Sequence, residues 1–313
     1  MDIFLDSTLR ALNYLARTLP LIVLGVFVAS LLAELKLINK IAFIASPMTR
    51  FAHMKRETGV SFLTAFFSPS IANGMLAQYN REGRLQGRET LLAAVLNSFP
   101  AYVYHIWFLI PVVVPLLHWV GVLYIMVIAA IGVVKTLIIL LAANIMLDSK
   151  EEEGVLPREE RPAFREALKE AVTKSRSLLK RLILTIVPLV LVSFILAGYG
   201  AFEALSSHLT VVTEYLHIPG EATTVIGAYV VSPVAGYSVA SSLLEGGMDS
   251  MVVLVSLMMG VLISNFVGAL RHTGPYYLGI FGVELGTRIV VVSTLLRGAL
   301  QLVAITLILV FWL

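Results

Sequence analysis

Two cations stand in text that should face lipid: Lys135, within VVKTLIILLAA from Val133, and Arg297, within LLRGALQLVAI from Leu295. A cation inside an apolar span costs a few kcal/mol or more and is normally paired, solvated or functional, so the chemistry offered here is attraction of a negatively charged solute. Acids able to neutralise the pair are scarce. Glu284 is nearest in sequence, and Glu34, Glu89 and Glu245 stand at segment ends. Arg271 and Arg288 are expected nearer the cytoplasmic face, where snorkelling to water accounts for them.

The second chemical signal is a set of helix breaks. Ser68-Pro69-Ser70 with Asn73 has a counterpart in Ser232-Pro233 with Ser238; Asn97-Ser98-Phe99-Pro100 has one in Ser264-Asn265-Phe266, followed by Gly268 and Arg271-His272-Thr273-Gly274-Pro275. An interrupted helix in lipid exposes backbone groups that protein or a solute in a watery cavity must satisfy. Hairpin tips of this kind also offer N–H groups and a positive helix end to an anion. The substrate-binding candidates are therefore Ser68, Ser70, Asn73, Asn97, Ser98, Lys135, Ser232, Ser238, Asn265, Arg271, Thr273 and Arg297. His105 and His272 fall a similar distance after their asparagines and are candidates for proton coupling, since imidazole titrates near neutrality. Blander readings stand beside each: a single Ser-Pro can be a kink patched by its hydroxyl, the asparagines can fix helix packing, and a membrane histidine can be a packing donor. Duplication at matching places is what favours a site.

Other chemistries find no footing. With no cysteine there is no disulfide, thiolate metal site or catalytic thiol. There is no HExxH, no GxSxG and no suitably paired acids, so neither an enzyme nor a cofactor or resident metal is expected. The basic clusters flank apolar spans, which accounts for them without nucleic acid.

The elements that must position these residues are membrane helices. Of 313 residues 58% are hydrophobic and only 14% charged, and the mean hydropathy is +0.89. Apolar stretches such as Leu19 to Leu35, Trp119 to Leu147, Leu182 to Gly200 and Ile289 to Leu313 approach or exceed the roughly 20 residues that cross a bilayer as a helix. No removable signal peptide is expected at the N-terminus. Lys and Arg concentrate at 36–56, 81–88 and 150–181, and are missing from Pro111 to His118, Phe202 to Gly220 and Glu245 to Asp249. The first set belongs inside and the second outside, which puts the N-terminus outside and the charged central linker in the cytoplasm of a multi-pass cell-membrane protein.

Threading the chain through those sides gives a first span at about Leu12 to Leu35 and an interfacial amphipathic segment at Ile38 to Met54. Val60 to Tyr79 has basic clusters on both flanks, so it must enter and return as a re-entrant hairpin broken at Ser68-Pro69-Ser70. Two spans follow, at about Glu89 to Val114 and Trp119 to Leu147. After the linker the order repeats: a span at Leu182 to Gly200, an amphipathic segment at Phe202 to His217, and a broken segment at Thr223 to Leu244. An odd number of crossings per half forces the halves into opposite orientation. The expected fold is thus all-α and polytopic, with two inverted-topology repeats, 1–147 and 178–313, each carrying a broken hairpin and joined by the linker 148–177.

The duplicated Ser-Pro hairpin (FFSPSIANG from Phe66, VVSPVAGYS from Val230), the Asn-containing helix after each and the charged linker resemble the Gate-domain membrane proteins, also called nucleoside-recognition domain proteins. That family is similar to the membrane part of ferrous iron transporter B, to spore maturation membrane proteins and, distantly, to concentrative nucleoside transporters. The resemblance covers nearly the whole chain, with Gate units at about 59–147 and 222–313, and implies a transport fold. The chain departs from the iron transporter in lacking a nucleotide-binding domain, a GxxxxGK[ST] loop and cysteine. The leading expectation is a secondary transporter of a small polar, anionic solute, working by alternating access at a mid-membrane site between the repeats. Alternatives are a nucleoside or base held by the asparagines with Phe99, Tyr102, Tyr104 and Tyr276, a divalent metal held by His105 and His272 with methionines, or a non-transporting scaffold. The expected partners are the small-molecule substrate and the lipid bilayer. A homodimer is left open, with no motif for it.

Overall fold

A computed structural model describes residues 3–35, 45–66, 68–147, 163–199 and 220–312, and every element among them is helical. The helices are α1 (Ile3–Glu34), α2 (Ala45–Phe51), α3 (Arg56–Ala65), α4 (Pro69–Arg81), α5 (Gly87–Leu96), α6 (Ser98–Met146), α7 (Phe164–Gly198), α8 (Gly220–Val231), α9 (Pro233–Glu245), α10 (Ser250–Gly268), a π-helical turn (Ala269–Thr273), α11 (Gly274–Phe281) and α12 (Val283–Trp312). The expected amphipathic segment at 202–217, the first part of that at 38–54 (38–44) and the polar opening of the linker lie outside the described residues, while α2 covers much of the rest of 38–54. The rest of the linker, from Phe164, is the first part of α7, so helix runs unbroken across the expected boundary at 177.

Among the described residues four runs are long and apolar enough to cross a membrane: Ile3–Val28, Gly87–Met146, Ser250–Gly268 and Val283–Phe311. A shorter apolar stretch, Ile186–Leu196, lies within α7. The second run is folded on itself. At His118 the backbone takes φ 50° and ψ −127°, and the arms 98–117 and 119–146 then run back along each other. Gly121 sits hard against Val113, Gly132 against the Tyr102 ring, and Lys135 reaches Ser98. A Cβ at Gly121 would lie 2.6 Å from the Val113 carbonyl oxygen, so only glycine allows the arms this close. The same device closes the chain's last part. Gly282, at φ 79°, turns α11 into α12, and Gly286 packs on Tyr277 and Leu278.

α1 and α7 form the most extensive helix pair and run antiparallel. Glu34 at the end of α1 meets Lys174 near the start of α7 at 2.8 Å, Tyr14 lies against Phe194 at 5.5 Å between ring centroids, and Ser7 abuts Gly198. Both helices carry an internal proline, Pro20 and Pro188.

Buried apolar side chains among the described residues gather in two large clusters, with a small third one of Ala222, Ile226 and Val252 between α8 and α10. One cluster, at the His118 end, joins α1, the α6 turn, α7, α8, α9 and α10, with Tyr124, Tyr237, Leu257 and Met258 fully buried. The other large cluster, at the Gly282 end, joins α3, α4 and α5 to α11 and to the far ends of α6 and α12, around Phe62, Leu76 and Leu96. The first hairpin thus belongs to one core and the second hairpin to the other. Ile131 lies in one cluster and Ile139 in the other; so do Ile305 and Ile289. Lys135 and Arg297 each fall midway between such a pair, in the seam between two apolar masses.

Candidate functional site

The first hairpin is α3 and α4. Phe66 ends α3, Ser68 N-caps α4 with Pro69 in the first helical position, and the Ser68 hydroxyl accepts from the Ile71 N–H at 3.4 Å. Proline is placed where its missing N–H costs nothing. Ser61 of α3 donates to the Ala72 carbonyl of α4 at 2.9 Å and so ties the arms together. Asn97, in the turn between α5 and α6, is 1% exposed. Its Nδ2 donates to Ser61 Oγ at 2.9 Å and to Asn73 Oδ1 at 3.2 Å, and Asn73 Nδ2 donates to the Tyr276 hydroxyl at 3.2 Å. Asn97 Oδ1 has no partner in its buried setting. A buried carbonyl left unmade costs about 1–3 kcal/mol, so this network holds one acceptor in reserve.

Ser98 continues the seam. Its hydroxyl donates to the Val95 carbonyl at 2.6 Å and accepts from Lys135 Nζ at 3.1 Å, and Lys135 also donates to Ser293 Oγ at 2.8 Å. Lys135 is 8% exposed. One turn beyond Ser293, the Arg297 guanidinium lies 5.4 Å from the centroid of the Tyr102 ring, a cation–π distance. Because Lys135 bonds Ser293, one turn before Arg297 on α12, the two cations come close together in the seam.

Among the described residues neither Lys135 nor Arg297 has a carboxylate partner. Every acid weighed from the sequence is placed elsewhere. Glu34 pairs with Lys174, and Glu284 pairs with Arg288 at 2.8 Å on an exposed turn. Glu89 is buried but accepts from the Lys55 N–H at 2.8 Å and the Thr58 hydroxyl at 3.0 Å, holding the start of α3 where a helix end favours negative charge. Glu245 is exposed at the end of α9.

The second hairpin, α8 and α9, repeats the break with different chemistry. Ser232 N-caps α9 ahead of Pro233 but makes no capping hydrogen bond, and Ser238 is buried and donates to the Val234 carbonyl of its own helix at 2.9 Å. The Tyr229 ring fills the space left by Gly236 and Gly260. Its hydroxyl joins those of Tyr124 and Tyr237 in a buried ring at 3.0, 3.2 and 3.5 Å, in which each hydroxyl can donate to the next.

The structure therefore gathers Asn73, Asn97, Ser98, Lys135 and Arg297 in one seam, with Ser68 at the neighbouring hairpin tip. Others stand apart. Ser70 and His272 are exposed, and Thr273 and Arg271 lie on the π-helical turn. Helix α10 is unbroken through Ser264-Asn265-Phe266: Asn265 Nδ2 donates to the Thr294 carbonyl of α12 at 3.1 Å, and the irregular turn comes four residues later. No group of three His, Asp or Glu side chains able to hold a metal occurs among the described residues.

Sequence reasoning missed Ser61, Ser293, the tyrosine ring, and Arg10 and Arg17 of α1. Ser293 was legible in principle, because it precedes Arg297 by four residues and so shares its helix face. Ser61 and the tyrosines carry no such signal, since their partners come from helices far away in sequence.

Three proteins of Methanocaldococcus jannaschii are similar to this chain over nearly its whole length. Uncharacterized protein MJ1556 is 28% identical over 306 residues, covering 95% of each chain. Uncharacterized protein MJ0880 is 26% identical over 306 residues, 96% of this chain and 99% of its own. Uncharacterized protein MJ0871 is 26% identical over 291 residues, 92% and 91% respectively. No family model and no solved structure matches the chain.

Proposed function

We propose that this protein is a secondary transporter of a small anionic solute, bound between two inverted repeats at the Lys135–Arg297 seam and exposed alternately to the two sides. One observation carries the reading: two cations at mid-helix depth, held by hydroxyls and a tyrosine ring, with every nearby carboxylate placed elsewhere among the described residues. Two like charges close together in a low-dielectric seam repel, and an anion is the group that relieves them. A non-transporting scaffold has no need of such a pair.

Several features support the inverted plan. Helices α3 and α4 have 10 and 13 residues, about 15 and 20 Å at 1.5 Å per residue, too short for a hydrocarbon core of about 30 Å, as a re-entrant hairpin requires. Helices α8 and α9 have 12 and 13 residues and belong to the opposite core. The antiparallel α1–α7 pair, the tight turns at His118 and Gly282, and the equivalent placing of Lys135 and Arg297 fit one plan used twice. The likeness to Gate-domain membrane proteins leads to the same reading, with the His118 end outside the cell membrane. Nucleosides are less favoured, because the Tyr102 ring already carries Arg297 and the Tyr276 hydroxyl already holds Asn73.

The test is a thermal-shift screen of purified protein against carboxylates, phosphorylated metabolites, nucleosides and divalent metals. A ligand at a hundred times its Kd stabilises the native state by about 2.7 kcal/mol. An anion should raise the melting temperature, and Lys135→Met or Arg297→Met should each remove that rise and abolish anion flux in proteoliposomes. Flux that persists in both variants would overturn the proposal.

A further inference from the structure

The His118 end holds a cavity of about 680 Å³ between α1, the α6 turn, the end of α7 and the end of α9. Its floor is polar and fixed: Tyr14 is 6% exposed, and its hydroxyl donates to the Leu116 carbonyl just before the turn. Its wall carries four charges, of which Asp6 and Arg10 neutralise each other at 2.6 Å. The remaining two have no ion pair among the described residues. Arg17 stands well inside Ile3–Val28, a run long and apolar enough to cross a membrane, and it lines the cavity. A guanidinium at such a position normally faces water, a partner or a ligand. Glu245 is the last residue of α9 and is exposed to the cavity, where the free helix carbonyls add to its negative charge and favour a cation. The cavity is thus dipolar, with a positive pole at Arg17 and a negative pole at Glu245 and the α9 carbonyl end. His118, held at the turn with φ 50°, lines the space as well.

The geometry points to this cavity as a binding site for a small zwitterion, its carboxylate on Arg17 and its ammonium on Glu245. A simple anion would meet Glu245 and a simple cation would meet Arg17; only a ligand with both charges satisfies both poles. The site stands on the cavity alone and does not depend on the transport reading.

The experiment is a ligand series on the purified full-length chain in detergent, with no gradient imposed: glycine, 4-aminobutyrate and 6-aminohexanoate, with pentanoate and pentylammonium as single-charge controls. One length of ω-amino acid should raise the melting temperature in a saturable way, and both Arg17→Gln and Glu245→Gln should weaken its binding at least tenfold, while Arg17→Lys retains part of it. Melting temperature without ligand and elution as a single species show that each variant is folded. Three outcomes overturn the assignment: no length binds, pentanoate binds as well as the amino acids, or binding survives both neutralisations. A chain that binds the zwitterion yet moves no anion in proteoliposomes leaves this site standing and sinks the transport reading; the reverse result does the opposite.

Discussion

The two Ser-Pro hairpins share a backbone device and differ in what fills it. In α3–α4 the seam is made of amides and hydroxyls: Ser61, Asn73, Asn97 and Tyr276, with an acceptor on Asn97 left over. In α8–α9 it is made of aromatic volume, with Tyr229 seated on Gly236 and Gly260 and its hydroxyl closed into a ring with Tyr124 and Tyr237. The broken helix by itself is therefore only a way of bringing backbone to the middle of a helical bundle. Side chains decide whether the break can engage a solute or is simply packed. Each break keeps one buried polar atom unpartnered, Asn97 Oδ1 packed against the first hairpin and the Ser241 hydroxyl within the second, so the contrast lies in the amide network of the one and the aromatic packing of the other.

The sharpest way to break this contrast is at the glycines. Gly236→Ala places a Cβ 2.7–2.8 Å from Tyr229 atoms that include its backbone Cα, and should destabilise by about 1–3 kcal/mol in thermal unfolding. Gly74, in the first hairpin, has open space around it, so Gly74→Ala should stabilise by about 0.5–1 kcal/mol through helix propensity. Equal losses at both sites would erase the distinction. Next come the asparagines. Asn97→Ala removes two buried donations and should cost about 1–2 kcal/mol, against less than about 1 kcal/mol for Asn265→Ala, which loses one bond to a carbonyl.

A smaller effect separates the caps: Ser68→Ala should cost about 0.5 kcal/mol and Ser232→Ala nearly nothing, because only the first hydroxyl caps its helix. The smallest effect is a pH dependence at the first hairpin. Partial burial works to raise the Glu57 carboxyl, but a backbone hydrogen bond and the Arg84 guanidinium at 2.6 Å outweigh it and hold the group below the ordinary carboxylate range. A carboxyl depressed on folding stabilises above its unfolded pKa and ceases to as pH falls through its folded one. Acid should therefore loosen the start of α3, and Glu57→Gln should flatten the melting temperature against pH on the acid side while barely moving it at neutrality. Glu221, the equivalent acid in α8, has no ion pair among the described residues.

How far the sequence carries depends on whether a signal is local. Helical membrane character, the Ser-Pro breaks and the exceptional standing of Lys135 and Arg297 are local: each is read from apolar text and one or two residues within it. The fold-back at His118 was expected between Val114 and Trp119 and is found there. What was not legible is pairing. Asn97 and Asn265 look equivalent in the sequence, yet one faces a hairpin with hydroxyls and the other faces a carbonyl of α12, because their neighbours come from different helices. Arg10 and Arg17 escaped notice since a basic residue near a chain start reads as a flank, whereas the 32-residue length of α1 carries Arg17 well into the helix.

The antiparallel contact of α1 with α7 has a mechanical side. Two stiff rods that touch from Ser7 and Gly198 at one extremity to Glu34 and Lys174 at the other cannot separate everywhere at once without losing their whole common border. They can open like scissors, parting at one tip while closing at the other, and Gly198 lets the blades lie close at the His118 tip. Any bulkier residue there would wedge that tip ajar and set the resting angle of the pair.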